Sequence, residues 1–229
     1  MRREARSVVS VEPVGPYALL RLTRGDLARG GPGQFFMLTP PGFPLPRALS
    51  LCFAPPGELA FLVDPVGPGT EALCRLGRGD GVDVLGPLGR GFRLDVGRPL
   101  LVGGGIGIAP LVYLSQRLGR PPALLGFRTR AHAEAAALVP NAEVIVEPEL
   151  VTERLAPGRD ILSCGPEPML LAVARLAPGA QLAWEAPMAC GFGACHGCVV
   201  RIGGALRRLC VEGPVLDASA VFFEERRAA

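Results

Sequence analysis

The residues best suited to chemistry stand near the end of the chain, where four cysteines follow one another at short intervals. Cys190, Cys195, Cys198 and Cys210 are spaced as C-x4-C-x2-C-x11-C. Three thiolates from one tight loop and a fourth from farther along the chain form the arrangement that binds plant-type [2Fe–2S] clusters. Two bridged irons need four thiolates in a small volume, and the loop contains glycines that let its backbone curl: Gly191, Gly193 and Gly197. The spacing therefore predicts an iron–sulfur cluster.

Two other uses of four cysteines compete with this interpretation. A structural zinc site usually consists of two short C-x2–4-C pairs, whereas the pattern here is three cysteines plus one. Disulfides are typical of secreted chains, and the first residues lack the apolar core of a signal peptide. A Rieske centre needs two histidine ligands, and no second histidine is near His196 in the sequence. We therefore favour iron–sulfur over zinc and expect His196 beside the cluster or at the surface.

A second candidate site is a glycine turn in the middle of the chain. Residues 100–111 read LLVGGGIGIAPL, which predicts a buried strand, a turn, and a helix that begins near Pro110. Such a turn can face a pyrophosphate with its amides, although a β–α turn without a ligand is the alternative.

Residues 163–166, Ser-Cys-Gly-Pro, end a later strand, and ligands bind at the carboxyl ends of parallel strands. We expect both turns on one rim, with a nucleotide contacting Gly104, Gly105, Gly107, Cys164 and Gly165; a nicotinamide ring would stack at Cys164, unless this is a small packing residue.

Two shorter motifs precede the glycine turn. Arg47 and Ser50 stand three residues apart, and an arginine fork with a nearby hydroxyl can bind phosphate. Gly69 and Thr70 follow in a loop where a short helix over residues 70–76 is expected, and their amides and hydroxyl could also face phosphate. Each pattern is common in proteins, so neither identifies a ligand by itself.

Length and composition describe an ordinary globular chain. Its 229 residues are 49% hydrophobic and 20% charged, and the net charge of +3 is too small to argue for a nucleic-acid partner. The longest apolar stretch, residues 99–114, contains four glycines and is shorter than the roughly 20 residues that cross a bilayer. We expect a cytoplasmic protein with no membrane anchor, in which Cys52 and Cys74 are inert core thiols.

The order of predicted elements indicates a multi-module α+β protein. Short strands punctuated by Gly and Pro fill residues 1–96 and predict an antiparallel β-barrel. Strands alternate with helical runs in residues 97–182 (108–119, 131–138, 150–156 and 167–177), which predicts a parallel α/β nucleotide-binding domain. Residues 183–229 form a third, small domain organised by the cysteines.

Taken in order, these motifs resemble the ferredoxin–NADP reductase superfamily. The barrel has R-x-x-S and G-T, the sheet has G-G-G-x-G-x-A-P and C-G-P-x-P-M, and the resemblance covers essentially the whole chain. The tail, E-x-x-M-x-C-G-x-G-x-C followed by C-V-E-G-P-V, resembles the electron-transfer subunits of class 1B dihydroorotate dehydrogenases. By position, the resemblance implies FAD in contact with Arg47, Ala48, Leu49, Ser50, Leu62, Val63, Asp64, Gly69 and Thr70.

The chain departs from the superfamily pattern at two points. Leu49 stands where many members have a tyrosine against the flavin ring. Relatives usually carry an acidic, glycine-rich loop after the third strand of the sheet, and residues 144–152 (VIVEPELVT) lack it. Because that loop would lie near the nucleotide rim, the resemblance leaves open whether NAD binds, and whether Arg128 and Arg130 contact a 2′-phosphate or only solvent.

The resemblance implies an electron relay rather than acid–base catalysis, and the chain shows no catalytic constellation of its own. An FMN-containing dihydroorotate dehydrogenase catalytic subunit, in an assembly of two copies of each chain, would supply electrons. They would pass through [2Fe–2S] and FAD to NAD⁺. One alternative is a subunit of another flavin/iron–sulfur oxidoreductase, such as an NADH-dependent ferredoxin reductase or a hydrogenase module with a different acceptor. The other is a zinc-stabilised binding module without activity.

Overall fold

The computed structural model describes residues 1–221 and begins with a six-stranded antiparallel sheet. Its strands lie in the order β4-β3-β6-β1-β2-β5. Beyond β4, Phe53 pairs with Ala60 of β5, and this bridge closes the sheet into the predicted barrel. The strands are β1 (Arg2–Val14), β2 (Tyr17–Thr23), β3 (Phe35–Thr39), β4 (Arg47–Ser50), β5 (Glu58–Val63) and β6 (Gly81–Leu88).

One helix interrupts the barrel strands, as predicted from the sequence. Helix α1 (Pro68–Cys74) begins two residues earlier than the expected 70–76, because Pro68 suits the first turn of a helix. The side chain of Thr70 closes this first turn: its hydroxyl donates to the carbonyl of Gly67 (3.0 Å) and accepts from the Gly67 amide (3.2 Å). The helix therefore starts directly after the Gly67 turn, which joins it to β5.

The second sheet has the predicted parallel α/β arrangement. Five parallel strands lie in the order β11-β10-β7-β8-β9, and β10 and β8 flank the central β7. Its strands are β7 (Pro99–Gly104), β8 (Ala123–Phe127), β9 (Ala142–Val146), β10 (Asp160–Cys164) and β11 (Gln181–Ala183), and its helices are α2 (Ala109–Arg117), α3 (Arg130–Ala133) and α4 (Glu167–Leu176).

Two of the predicted helices of this sheet are much shorter than the sequence suggested. The alanine-rich run at 131–138 forms the single turn of α3 and then a 3₁₀ turn, Glu134–Leu138. The run at 150–156 forms only the 3₁₀ turn Val151–Arg154. Prolines at 148 and 157 bracket this second run, and they leave too little chain for a longer helix.

The cysteine-containing tail contributes a strand to the second sheet. A hairpin of β12 (Val199–Ile202) and β13 (Ala205–Arg208) leads to the one-turn helix α5 (Leu209–Glu212) and then to β14 (Val215–Asp217). Strand β14 pairs antiparallel with β11 and becomes the edge of the sheet. The proposed boundary at residue 182/183 thus lies within β11, and residues 222–229 of the proposed third domain lie outside the described residues.

The three parts share continuous hydrophobic cores. One core joins Leu62 of the barrel to Leu101 of the sheet, and another joins Met37 of the barrel to Cys198 and Cys210 of the tail. Within residues 1–221, the structure contains no helix with the length and hydropathy of a membrane span.

Candidate cofactor sites

The loop between β11 and β12 carries the first two cysteines and turns its amides toward their sulfurs. The amide of Cys195 lies 3.5 Å from Cys190 Sγ, and the amide of Gly197 lies 3.4 Å from Cys195 Sγ. Burial opposes ionisation of Cys190, but hydrogen bonds from the amides of Cys195, Phe192 and Ala194 outweigh it and lower its pKa to about 6. The loop is therefore built to stabilise a thiolate, the form that binds metal.

The other two cysteines form a buried pair. Cys198 and Cys210 are each 2% exposed, and their sulfurs lie 3.1 Å apart. Burial and the neighbouring Cys198 thiol raise the pKa of Cys210 to about 12. All seven cysteines of the chain lie within the described residues, and all are free thiols.

Two glycines set the course of the cysteine loop. Gly191 and Gly193 have φ angles of +80° and +90°, which L side chains rarely adopt. Both also pack closely: a Cβ atom at Gly191 would lie 2.9 Å from Met37 Sδ, and one at Gly193 would lie 2.7 Å from Val211. Both positions therefore require glycine, because of the positive φ angle of the tight loop and because close packing leaves no room for a side chain.

This donor set fits a dinuclear cluster. The Cys190 thiol interacts with the side chain of Cys195, and the Cys198 thiol contacts the Cys210 sulfur, so the four sulfurs fall into two pairs. A [2Fe–2S] cluster takes four cysteine thiolates shared between its two irons. Among residues 1–221, no group of three or more His, Cys, Asp or Glu side chains is arranged as the ligands of a metal ion. His196 is exposed at the rim of the loop, as expected.

The two barrel motifs come together although they lie about 20 residues apart in the sequence. The guanidinium of Arg47 lies directly over Gly69, where any Cβ atom would collide with it. Arg47 Nη1 donates to the carbonyls of Leu45 (2.9 Å) and Pro46 (3.2 Å), and the guanidinium carbon lies 5.7 Å from the centre of the Phe43 ring. Within residues 1–221, Arg47 has no carboxylate partner, so its Nε and Nη2 groups can serve an anion.

The remaining residues expected to contact FAD occupy different environments. Ala48, Leu49 and Ser50 are half-buried on β4, opposite Met37, Phe36 and Phe35 of β3. Leu62 and Val63 are 2% and 0% exposed, because Leu62 packs in the core shared with the parallel sheet and Val63 packs in the barrel's own core. The structure therefore gives neither residue an open surface toward a ligand.

A cleft of about 620 Å³ opens between the barrel and the carboxyl ends of the parallel strands. Four of the five residues expected to bind nucleotide line it: Gly104, Gly105, Gly107 and Gly165. Gly107 packs against the other turn, since a Cβ atom there would lie 2.6 Å from Gly165 Cα. Cys164 is 2% exposed behind this rim, and burial together with the charge of Glu185 raises the pKa of its thiol.

The segment that lacks the acidic, glycine-rich loop still forms a wall of the cleft. Glu147 and residues 149–152 line it. The amide of Glu147 donates to the carbonyl of Phe127 (3.0 Å), which ties the segment to the end of β8. Arg128 lines the cleft, whereas Arg130 does not. The shortened connection has therefore not closed the cleft.

Sequence reasoning missed three residues of the cleft. Tyr17 and His132 line it with their rings edge to face, 5.5 Å between centroids, although neither residue belongs to a recognisable motif. Glu185 belongs to the cysteine motif in the sequence, yet it also lines the cleft, where burial raises the pKa of its carboxyl. These three residues come together only because the barrel packs against the sheet.

The fold is similar to that of flavin-dependent reductases. A structure of an NADH-dependent reduced ferredoxin–NADP oxidoreductase superposes with a TM-score of 0.82 at 24% identity, covering 96% of this chain and 90% of the other. Phthalate dioxygenase reductase superposes with a TM-score of 0.63 at 19% identity, covering 76% of this chain and 64% of the other. At these identities the similarity establishes the fold.

Sequence comparison identifies the family. Residues 185–222 match the model of the iron–sulfur cluster binding domain of dihydroorotate dehydrogenase B. The chain is 34% identical to the dihydroorotate dehydrogenase B (NAD⁺) electron transfer subunit of Caldanaerobacter subterraneus subsp. tengcongensis, over 84% of this chain and 87% of the relative. It is 33% identical to the subunit of the same name from a Geobacillus species, over 96% and 99%. The chain therefore belongs to the family of dihydroorotate dehydrogenase B electron transfer subunits.

Proposed function

We propose that this chain carries electrons from a dihydroorotate dehydrogenase catalytic subunit to NAD⁺, by way of a [2Fe–2S] cluster and FAD. The partner would contain FMN and oxidise dihydroorotate to orotate, and the assembly would contain two copies of each chain. The names of the relatives support the subunit role and the acceptor NAD⁺. The FMN and the stoichiometry rest on the family resemblance alone.

One observation carries the proposal. Met37 of β3 packs against Gly191 of the cysteine loop, and in the barrel it pairs with Ala48 of β4, the strand that begins with Arg47. A single residue thus separates the cysteine loop from the strand proposed to hold the flavin. Short spacing of this kind is what transfer between two bound redox groups requires.

The chain's own residues would bind and tune rather than react. Cys190, Cys195, Cys198 and Cys210 would hold the cluster, and the loop amides would stabilise its negative sulfurs. Arg47 would bind the FAD phosphates from beside Gly69. The cleft at Gly104–Gly107 would take the nucleotide. When bound, a flavin exchanges electron pairs with a nicotinamide and single electrons with an iron–sulfur cluster.

The first test is an absorption spectrum of the anaerobically purified protein, with iron, sulfide and flavin assays, before and after NADH is added. We expect about two irons and one flavin per chain, bleached by NADH. Zinc in place of iron and sulfide would contradict the relay. Flavin and cluster without bleaching would contradict NAD as the partner nucleotide.

A second test identifies the electron donor. When the chain is mixed with the catalytic subunit, dihydroorotate should be oxidised with matching reduction of NAD⁺, and omission of the chain should abolish the NAD⁺ reduction. Electron transfer to a ferredoxin but not from dihydroorotate would instead support the other reductase class.

A further inference from the structure

The side chain of Tyr17 is an unexplained feature of the cleft. The residue is 3% exposed, yet it lines the cleft, and its hydroxyl makes no hydrogen bond with any other residue of the described chain. The hydroxyl is the end of the side chain that opens into the cleft, so it is free to donate a hydrogen bond to a ligand that binds there. Tyr113, the other tyrosine, provides a contrast: its hydroxyl is also unpaired but lies outside the cleft.

The hydroxyl of Tyr17 lies beside the glycine turn. A Cβ atom built at Gly105 would lie 3.9 Å from Tyr17 Oη, which is van der Waals contact, so the hydroxyl lies next to this residue of the turn. Gly105 also begins the 3₁₀ turn that leads into α2, where amides are available for a pyrophosphate. The Tyr17 hydroxyl therefore lies next to the part of the cleft where a pyrophosphate would bind.

Neighbours from both halves of the molecule fix the orientation of Tyr17. His132 of α3 packs against its ring, and a 2.8 Å contact between His132 Nδ1 and Thr129 Oγ1 holds the imidazole in turn. The β1–β2 turn also rests on α3, because a Cβ atom at Gly15 would collide with the carbonyl of Ala131. The barrel thus presents Tyr17 to a cleft that belongs mainly to the sheet.

Asp64 supplies an acceptor next to this donor. The family resemblance implies that Asp64 contacts FAD, but the residue follows β5 and lines the nucleotide cleft. It lies close enough to Tyr17 for its charge to contribute to the raised pKa of the phenol, whose main cause is burial. A carboxylate repels phosphate but accepts hydrogen bonds from hydroxyl groups. A phenol that donates beside a carboxylate that accepts is complementary to a neutral diol, as in a ribose.

We propose that Tyr17 and Asp64 form a ribose subsite, in which the barrel binds the nicotinamide-side ribose of a pyridine nucleotide. Tyr17 donates to one ribose hydroxyl and Asp64 accepts from another. The inference rests on the proposed nucleotide function of the cleft and adds a contact from the opposite domain. It implies that tight nucleotide binding depends on the way the barrel and the sheet are docked.

The test compares three ligands by calorimetric titration of the oxidised holoprotein. NAD⁺ and ADP-ribose both carry the second ribose, whereas ADP lacks it. Tyr17→Phe removes one hydroxyl and should weaken NAD⁺ and ADP-ribose about three- to tenfold, the worth of one neutral hydrogen bond, while ADP binds as before. Asp64→Ala should show the same selectivity. Tyr113→Phe is the matched control and should leave all three affinities unchanged.

Each other outcome overturns the inference in a recognisable way. Equal weakening of all three ligands would move the contact to the adenosine diphosphate half. Loss of FAD from Tyr17→Phe or from Asp64→Ala would make the substituted residue part of the flavin site and overturn the ribose subsite. Unchanged affinities in both variants would show that neither Tyr17 nor Asp64 contacts the nucleotide. Failure of the unmodified protein to bind any of the three ligands would overturn the nucleotide function itself, together with the subsite.

Discussion

Met37 lies directly against Gly191, so the barrel and the cysteine loop touch at a point where no side chain fits between them. The φ angle of +80° at Gly191 adds a second restriction at the same residue. Gly191→Ala should therefore strain the backbone and also push the loop away from Met37. We expect the variant to lose at least half of its iron, measured by a colorimetric assay after anaerobic purification.

Gly57→Ala separates the two causes. Gly57 has a φ angle of +77°, nearly that of Gly191, but nothing lies within 4 Å of the position that its Cβ atom would take. Its substitution should destabilise the fold by about 1–2 kcal/mol through strain alone and leave the iron content unchanged. Equal iron loss in both variants would show that contact with Met37 is irrelevant to cluster assembly.

Removal of one cysteine should eliminate the cluster but not the flavin. In Cys198→Ser a hard oxygen replaces a soft thiolate, which iron–sulfur clusters bind poorly, so iron and sulfide should fall to background. Arg47 and Gly69 belong to the barrel, whose own core includes Phe36 and Phe61, and FAD should remain bound.

Cys74→Ser is the control for the cysteine substitution, because its partly exposed thiol lies on α1, within the barrel. Iron, sulfide and flavin should all match the unmodified protein. Loss of flavin from Cys198→Ser, despite a normal thermal unfolding curve, would mean that the contact at Met37 makes the two sites interdependent.

Arg47→Ala should weaken FAD binding by about 1.5–3 kcal/mol, the range for hydrogen bonds to charged groups. The measurement is fluorescence titration of the flavin-free protein with FAD. Arg75→Ala removes an arginine from the end of α1, where the side chain is 72% exposed and pairs with Glu71, and it should change nothing. If FAD affinity survives in Arg47→Ala, the site has to be sought away from Gly69.

The sequence was sufficient for the parts of the fold that depend on local patterns. Alternating short strands predicted the barrel, and the cysteine spacing predicted a loop that the structure forms with its amides on the sulfurs. The glycine turns at 103–107 and 163–166 meet at one rim because both follow parallel strands.

What the sequence could not reveal depends on contacts between distant segments. The pairing of β14 with β11 joins residues more than 30 positions apart, and three residues of a strand give no periodic signal. The cleft position of Tyr17 arises only when α3 of the sheet packs on the β1–β2 turn of the barrel. Likewise, the burial of Leu62 and Val63 reflects tertiary packing, which a family pattern assigned by position does not report.

Tyr17 should also make the stability of the protein depend on alkaline pH. Burial and the charge of Asp64 raise its pKa from 10.0 to about 12. Between these two values the folded state keeps a proton that the unfolded chain has lost, so the free energy of unfolding falls as the pH rises. The contribution is complete below pH 10 and gone above pH 12, with a slope of at most about 1.4 kcal/mol per pH unit.

Chemical denaturation of the unmodified protein and of Tyr17→Phe at several pH values between 9 and 12 can isolate this effect. The chain contains no lysine, and the cysteine thiols that also titrate at alkaline pH are the same in both proteins. Tyr17→Phe should show a shallower fall in the free energy of unfolding than the unmodified protein. Parallel curves for the two proteins would mean that the Tyr17 phenol ionises as readily in the fold as in the unfolded chain, and that water and not the barrel surrounds its hydroxyl.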